Sequence, residues 1–179
     1  MEKWNTTLRY AGFSLIGVAL LMFVSAFIAY RNDMDDSFNP LVFSGMAALL
    51  SGFFAIIATK PQEKMGVEEG FCIVTGCWIV ACVFGAIPYL LFGGEFTVVN
   101  AFFESVSGFT TTGASILNDI EALPDGLQFW RIASAWMGGI GIVTLVSLVI
   151  SAQQDRHLVL ASAELSDLAK SYYGGRKKN

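Results

Sequence analysis

A chain of 179 residues that is 54% hydrophobic and only 15% charged does not have the composition of a soluble domain, where about a quarter of the residues carry charge. Its formal net charge of -4 also lacks the basic excess that marks nucleic-acid binding. What remains is an integral membrane protein, in which the placement of charge matters more than its sum.

Taken in chain order, four windows carry no charged side chain over a bilayer-spanning length: 11–30, 40–59, 70–94 and 132–154. About 20 apolar residues suffice to cross a hydrocarbon core of about 30 Å as a helix. The first window lacks the small-residue cleavage pattern of a signal peptide and is followed by further spans, so it reads as a span itself. Lys3 and Arg9 precede it, and the next loop sets Arg31 against Asp33, Asp35 and Asp36. Lys60 and Lys64 follow the second span. The stretch 95–127 holds Glu95, Glu104, Asp119, Glu121 and Asp125 with no Lys or Arg, and the tail after 154 carries Arg156, Lys170, Arg176, Lys177 and Lys178. The bias alternates as four spans with both termini in the cytoplasm require. The basic end of the tail suits an anionic inner leaflet.

Between the third and fourth windows lies a short apolar segment, 96–109, "FTVVNAFFESVSGF". Apolar runs of about 10–14 residues read as buried or re-entrant rather than spanning. A helix over 98–107 would be about 15 Å long, with Thr97 as N-cap and Gly108 as the left-handed residue that ends it. The chain would then return through "TTTGAS" as extended backbone. At membrane depth such backbone is tolerated only where it is buried in protein or lines an aqueous path. Carbonyl oxygens of Thr110, Thr111, Thr112 and Gly113 are therefore candidate cation ligands, as the carbonyl rings of channel filters are. Gly113 permits angles closed to other residues. The residues alone leave open a Gly/Thr-rich external turn with no ligand.

Elsewhere the chemistry is sparse. Cys72, Cys77 and Cys82 recur every five residues, share no helical face and lack metal-site spacing, so they read as apolar filler. His157 stands alone near the cytoplasmic boundary. There is no phosphate loop, no Ser/His/Asp set and no metal-ligand cluster, so no enzyme and no organic cofactor are expected. Glu104 and Arg131 are costly charges near the membrane and are expected to pair. Gly138, Gly139 and Gly141 predict close helix packing, with flexibility as the other reading. Trp4, Trp78, Trp130 and Trp136 fall mostly near span ends, where indoles anchor to the interface.

Two stretches, "AFFESVSGFTTTGAS" at 101–115 and "LPDGLQFWRIASAWMGGIGIVTL" at 123–145, resemble the first pore repeat of the Trk/Ktr/HKT superfamily of potassium transporters. The likeness is closest to the membrane subunit of bacterial Trk-type uptake systems and runs from the first span to about Gln154. It implies an outer helix at 70–94, a pore helix at 98–107, a filter at Thr110–Gly113 and an inner helix at 127–151. It also implies potassium as the transported ion, held by filter backbone, with Thr111 and Thr112 singled out. The implied fold is all-α integral membrane: two N-terminal spans (1–69), one helix–re-entrant pore loop–helix unit (70–154) and a cytoplasmic tail (155–179). The family carries four such repeats around one pore and this sequence holds one. The chain is therefore expected to be the N-terminal part of a transporter or a truncated product, completed by remaining pore repeats or by further copies of itself. By resemblance its other partners are the lipid bilayer and a cytosolic, TrkA-like nucleotide-binding regulatory subunit, and its place is the inner membrane. A non-conducting fragment or assembly subunit that keeps the fold, and a poorly selective cation pathway, are the alternatives.

Overall fold

The computed structural model of the chain describes residues 2–60 and 67–147. Lys64, His157 and the tail from 155 lie outside the described residues. Within them all regular structure is helical: α1 (Glu2–Arg31), α2 (Phe38–Ala58), α3 (Val67–Gly85), α4 (Ile87–Phe92), α5 (Val98–Phe109) and α6 (Asp125–Ser147). Four helical stretches are long and apolar enough to cross a membrane: Asn5–Arg31, Phe38–Ala58, Glu69–Phe92 and Asp125–Ser147. The all-α membrane class expected from hydropathy is what is found.

α1 is the central post. Its buried residues Ala11, Leu15, Val18, Met22, Ala26 and Ala29 recur every three or four positions, which puts them along one side of a helix. That side packs against α2 and α3. α1 and α2 cross where Gly12 meets Gly52: a Cβ built on either would stand 2.8 Å from the other's carbonyl oxygen. Small residues at such a crossing let two backbones approach closely. Near the start of α1 Arg9 Nη1 donates to the carbonyls of Ile56 (3.1 Å) and Thr59 (2.8 Å). It thereby satisfies acceptors that the end of α2 leaves open.

The third span is broken between α3 and α4 at Ala86. Pro88 explains the break, because proline supplies no amide to the preceding turn and crowds it. The Gly85 carbonyl beside the break accepts from Trp130 Nε1 at 3.2 Å. A sequence defect in one span thus becomes a contact to another.

The loop between α1 and α2 is tied to the start of α6. Asp35 Oδ1 accepts from the Ser37 amide and hydroxyl, and Asp35 Oδ2 accepts from the Gly126 amide at 3.2 Å. Asn32 also donates to Asp125. Asp35 therefore caps a helix almost a hundred residues away, where a carboxylate meets the positive end of the helix dipole. α6 begins at Asp125 rather than at the charge-free window from 132, because the charge that interrupts that window, Arg131, is neutralised inside the protein.

Candidate functional site

α5 begins as its sequence predicts. The Thr97 hydroxyl accepts from the Asn100 amide at 3.3 Å, with extended angles at the cap. Ala101, Glu104, Ser105 and Phe109 are buried along one side, while Val98, Val99, Phe102 and Phe103 are exposed. Ser105 fixes the buried side to α3 by donating to the Cys82 carbonyl at 2.7 Å.

The end of α5 departs from expectation. The helix runs on to Phe109, and Gly108 lies inside it rather than capping it. Gly108 is there for packing: a Cβ would stand 2.5 Å from the Ser134 hydroxyl of α6. The left-handed residue is Thr111, at φ 55. Its amide bonds to the Gly108 carbonyl (2.9 Å), and the Thr112 amide reaches back to the Ser107 carbonyl (3.0 Å). These two bonds make a Schellman cap, normally built on glycine. A β-branched residue held there costs about 1–3 kcal/mol, and such strain gathers at functional positions.

The expectation of extended backbone over all of Thr110, Thr111, Thr112 and Gly113 is therefore corrected. Thr110 and Thr111 form a turn, and irregular backbone follows from Thr112. The physical reason is the cap itself, which bends the chain back over the last turn of α5. Gly113 has φ 75, and nothing lies within 4 Å of a Cβ built there. Glycine is needed for its backbone angle, not for space.

All four amides of this loop point back into α5. Thr110 donates to Val106, Thr111 to Gly108, and Thr112 and Gly113 to Ser107. The Phe109 carbonyl is taken by Trp78 Nε1 at 3.1 Å. The terminal carbonyls of α5 from Val106 to Phe109 are thus all occupied by protein donors. Among the described residues no hydrogen bond is donated to the carbonyls of Thr110, Thr111, Thr112 or Gly113, and all four residues are exposed.

Glu104 holds the outgoing chain. Its Oε1 accepts from the Ser115 hydroxyl (2.5 Å) and the Ile116 amide (2.8 Å), and Arg131 Nη2 stands 3.3 Å from Oε2. The Glu104 side chain is 1% exposed. The expected pairing of Glu104 with Arg131 is present, and the same carboxylate also anchors the segment after the loop. That second role was not read from the sequence. Its signal was an acid one turn from Ala101 and Gly108, on the buried side of an apolar helix. Ser107 adds a further tie by donating to the Ala114 carbonyl at 2.5 Å.

α6 backs the loop closely. Gly138 lies against the backbone of Phe109, where a Cβ would clash, so it serves close packing; a Cβ at Gly141 would make ordinary contact with the Trp78 indole, and one at Gly139 would only just reach Thr111. Of the tryptophans expected at the interface, Trp130 is fully buried, and Trp78 is half-buried with its indole bonded to the end of α5. Trp136 is 65% exposed. Of the cysteines expected as buried filler, Cys82 is buried, Cys77 intermediate and Cys72 exposed. Described His, Cys, Asp and Glu side chains nowhere gather in threes that would hold a metal.

Comparison with known proteins matches the sequence to a family. The family described as TrkH, cation transport protein, matches residues 40–174. The Trk system potassium uptake protein TrkI of Halomonas elongata is 38% identical over 167 residues, covering 93% of this chain and 34% of the relative. The Trk system potassium uptake protein TrkH of Escherichia coli K12 is 31% identical over 145 residues, covering 79% and 30%. An uncharacterized cation transporter of Methanocaldococcus jannaschii is 31% identical over 137 residues, covering 76% and 28%. The chain spans about a third of the length of these curated relatives.

Proposed function

The chain belongs to the TrkH family of cation transport proteins, and we propose that it contributes one quarter of a potassium pathway, in which the loop Thr110–Gly113 meets the ion. The observation that carries this reading is the polarity of the loop. Its amides bond back into α5, and among the described residues its carbonyls take no protein donor. Backbone left open in this way at membrane depth needs a partner, and a partly dehydrated cation is the partner that carbonyl oxygen suits. The ion is met by the loop and not by the helix end, whose carbonyls are already taken. Three further loops, from the remaining repeats or further copies of the chain, complete the ring. Potassium is the proposed ion on the strength of the named relatives.

The turn at Thr110–Thr111 leaves fewer stacked carbonyl positions than a fully extended filter, which supports weaker rejection of sodium than in potassium channels with longer filters. In a complete four-repeat pore Gly113→Ser is expected to lower the potassium-to-sodium uptake ratio, since the new Cβ opposes the left-handed angle by about 1–2 kcal/mol. Each 1.4 kcal/mol of lost differential binding is about tenfold in preference. Ala114→Ser, one residue on, is expected to change the ratio less. Uptake in cells lacking other potassium importers measures both. An unchanged ratio for Gly113→Ser at normal protein level removes the filter assignment. Absence of flux from liposomes holding the assembled pore favours a non-conducting role instead.

The division at 69 and 154 is proposed on the same footing: an N-terminal helix pair, one pore unit and a tail. The proposed setting is the inner membrane with both termini cytoplasmic, and a cytosolic nucleotide-binding subunit of the TrkA kind is the proposed regulator. Charge placement supports the orientation. With the native cysteines replaced, Asp36→Cys and Asp119→Cys are expected to react with an impermeant thiol reagent added outside, and Lys60→Cys is not. All three positions are exposed. Outside labelling at position 60 overturns the orientation.

A further inference from the structure

Three of the terminal carbonyls of α5 are taken by the backbone that follows them: Val106 by Thr110, Ser107 by Thr112 and Gly113, and Gly108 by Thr111. The last, Phe109, receives no such amide among the described residues. Its carbonyl belongs to the peptide group that joins α5 to the loop. Trp78 Nε1 on α3 donates to it at 3.1 Å. From the other side α6 leaves room for it because residue 138 is glycine, since a Cβ there would overlap the Phe109 carbonyl oxygen. The cavity of about 280 Å³ that Trp78 and Phe109 both border is lined almost wholly by apolar surface. Apolar cavities stay dry, so water does not stand in for the indole, and a buried carbonyl left without a donor is costly.

We propose that Trp78 is a positioning residue for ion selection. Its indole N–H, with Gly138 opposite, fixes the plane of the Phe109–Thr110 peptide and hence the point from which the loop carbonyls are set out. The inference rests on the reading of Thr110–Gly113 as the segment that meets the ion, and it gives a residue of α3, remote in sequence, a part in selectivity. The Thr110 amide, which closes on Val106 at 2.9 Å, lies in the same peptide plane. Rotation of that plane therefore moves the Phe109 oxygen and the Thr110 amide together. It loosens the turn over α5 and displaces the Thr110 carbonyl that follows. Discrimination between cations depends on the number and placement of such carbonyls, so it depends on what grips this peptide.

The test removes the donor and keeps the ring: Trp78→benzothienylalanine, in which sulfur replaces the indole N–H, in a complete four-repeat pore. At normal protein level it is expected to lower the potassium-to-sodium uptake ratio by up to about fivefold, the factor that one hydrogen bond sets. The same replacement at Trp136, which is 65% exposed, is expected to leave the ratio unchanged; an equal fall there traces the effect to the altered ring and overturns the proposal. A lower melting temperature with an unchanged ratio at position 78 marks a merely structural bond and also overturns it. If Gly113→Ser lowers the ratio in the same assay, the reading of the loop survives that failure; if neither variant moves it, both fall. On this chain alone, an isotope-edited infrared band of the Phe109 carbonyl is expected to move to higher frequency when the position-78 N–H is removed. An unmoved band means that Trp78 does not hold this peptide, and it overturns the proposal even where no pore assembles.

Discussion

Glu104→Gln is expected to remove most of the folded protein from the membrane. The substitution keeps the shape of the side chain and leaves the Arg131 guanidinium, only 17% exposed, without a counter-charge. Breaking a buried ion pair by neutralising one partner costs about 3–5 kcal/mol, against a total stability of about 5–15 kcal/mol for a typical domain. Arg131→Met is expected to be at least as damaging, because the carboxylate it strands is the more deeply buried of the two. The double variant Glu104→Gln/Arg131→Met removes both charges and is expected to recover part of the loss, since a buried pair as a whole is worth far less than the penalty for one orphan. Yield after detergent extraction and melting temperature read all three. A double variant no better than its parents would show that the carboxylate acts through Ser115 and Ile116 alone.

Gly138→Ala is expected to be the most disruptive single-methyl addition in α6. Its Cβ would stand 2.6 Å from the Phe109 carbonyl carbon and 2.9 Å from the Phe109 Cα. Both are backbone atoms and neither can swing aside. Phe109 is held from two other directions, by Trp78 on its carbonyl and by an edge-on contact with Trp130 at 6.1 Å. α6 is held in turn by Trp130 on Gly85. Overpacking of this kind costs about 1–3 kcal/mol or more, and relief of the clash would displace the turn at Thr110. Gly139→Ala is the control. Its nearest neighbour would be the Thr111 methyl at 4.0 Å, so alanine fits and stabilises the helix by up to about 1 kcal/mol. Equal effects at 138 and 139, measured as melting temperature, would mean that the two helices do not meet at Gly138.

Much of this was legible in the residues. Four charge-free windows fixed the spans, because burial in a bilayer is a property of length and composition. Thr97 and the short apolar segment after it fixed the start of α5, because a cap acts within one turn of its own residue. Glu104 and Arg131 declared themselves as charges too costly to leave alone. What the sequence did not carry was how α5 ends and what surrounds that end. Gly108 was the obvious cap by local rule, yet the closeness of Ser134 in α6 requires glycine inside the helix, and the left-handed turn falls on Thr111. Trp78 and Trp130 resembled interface anchors, yet each indole bonds a carbonyl elsewhere, at the end of α5 and beside the break made by Pro88. In each case the deciding partner lies tens of residues away, and only the packed tertiary structure determines which open backbone group a distant side chain will meet.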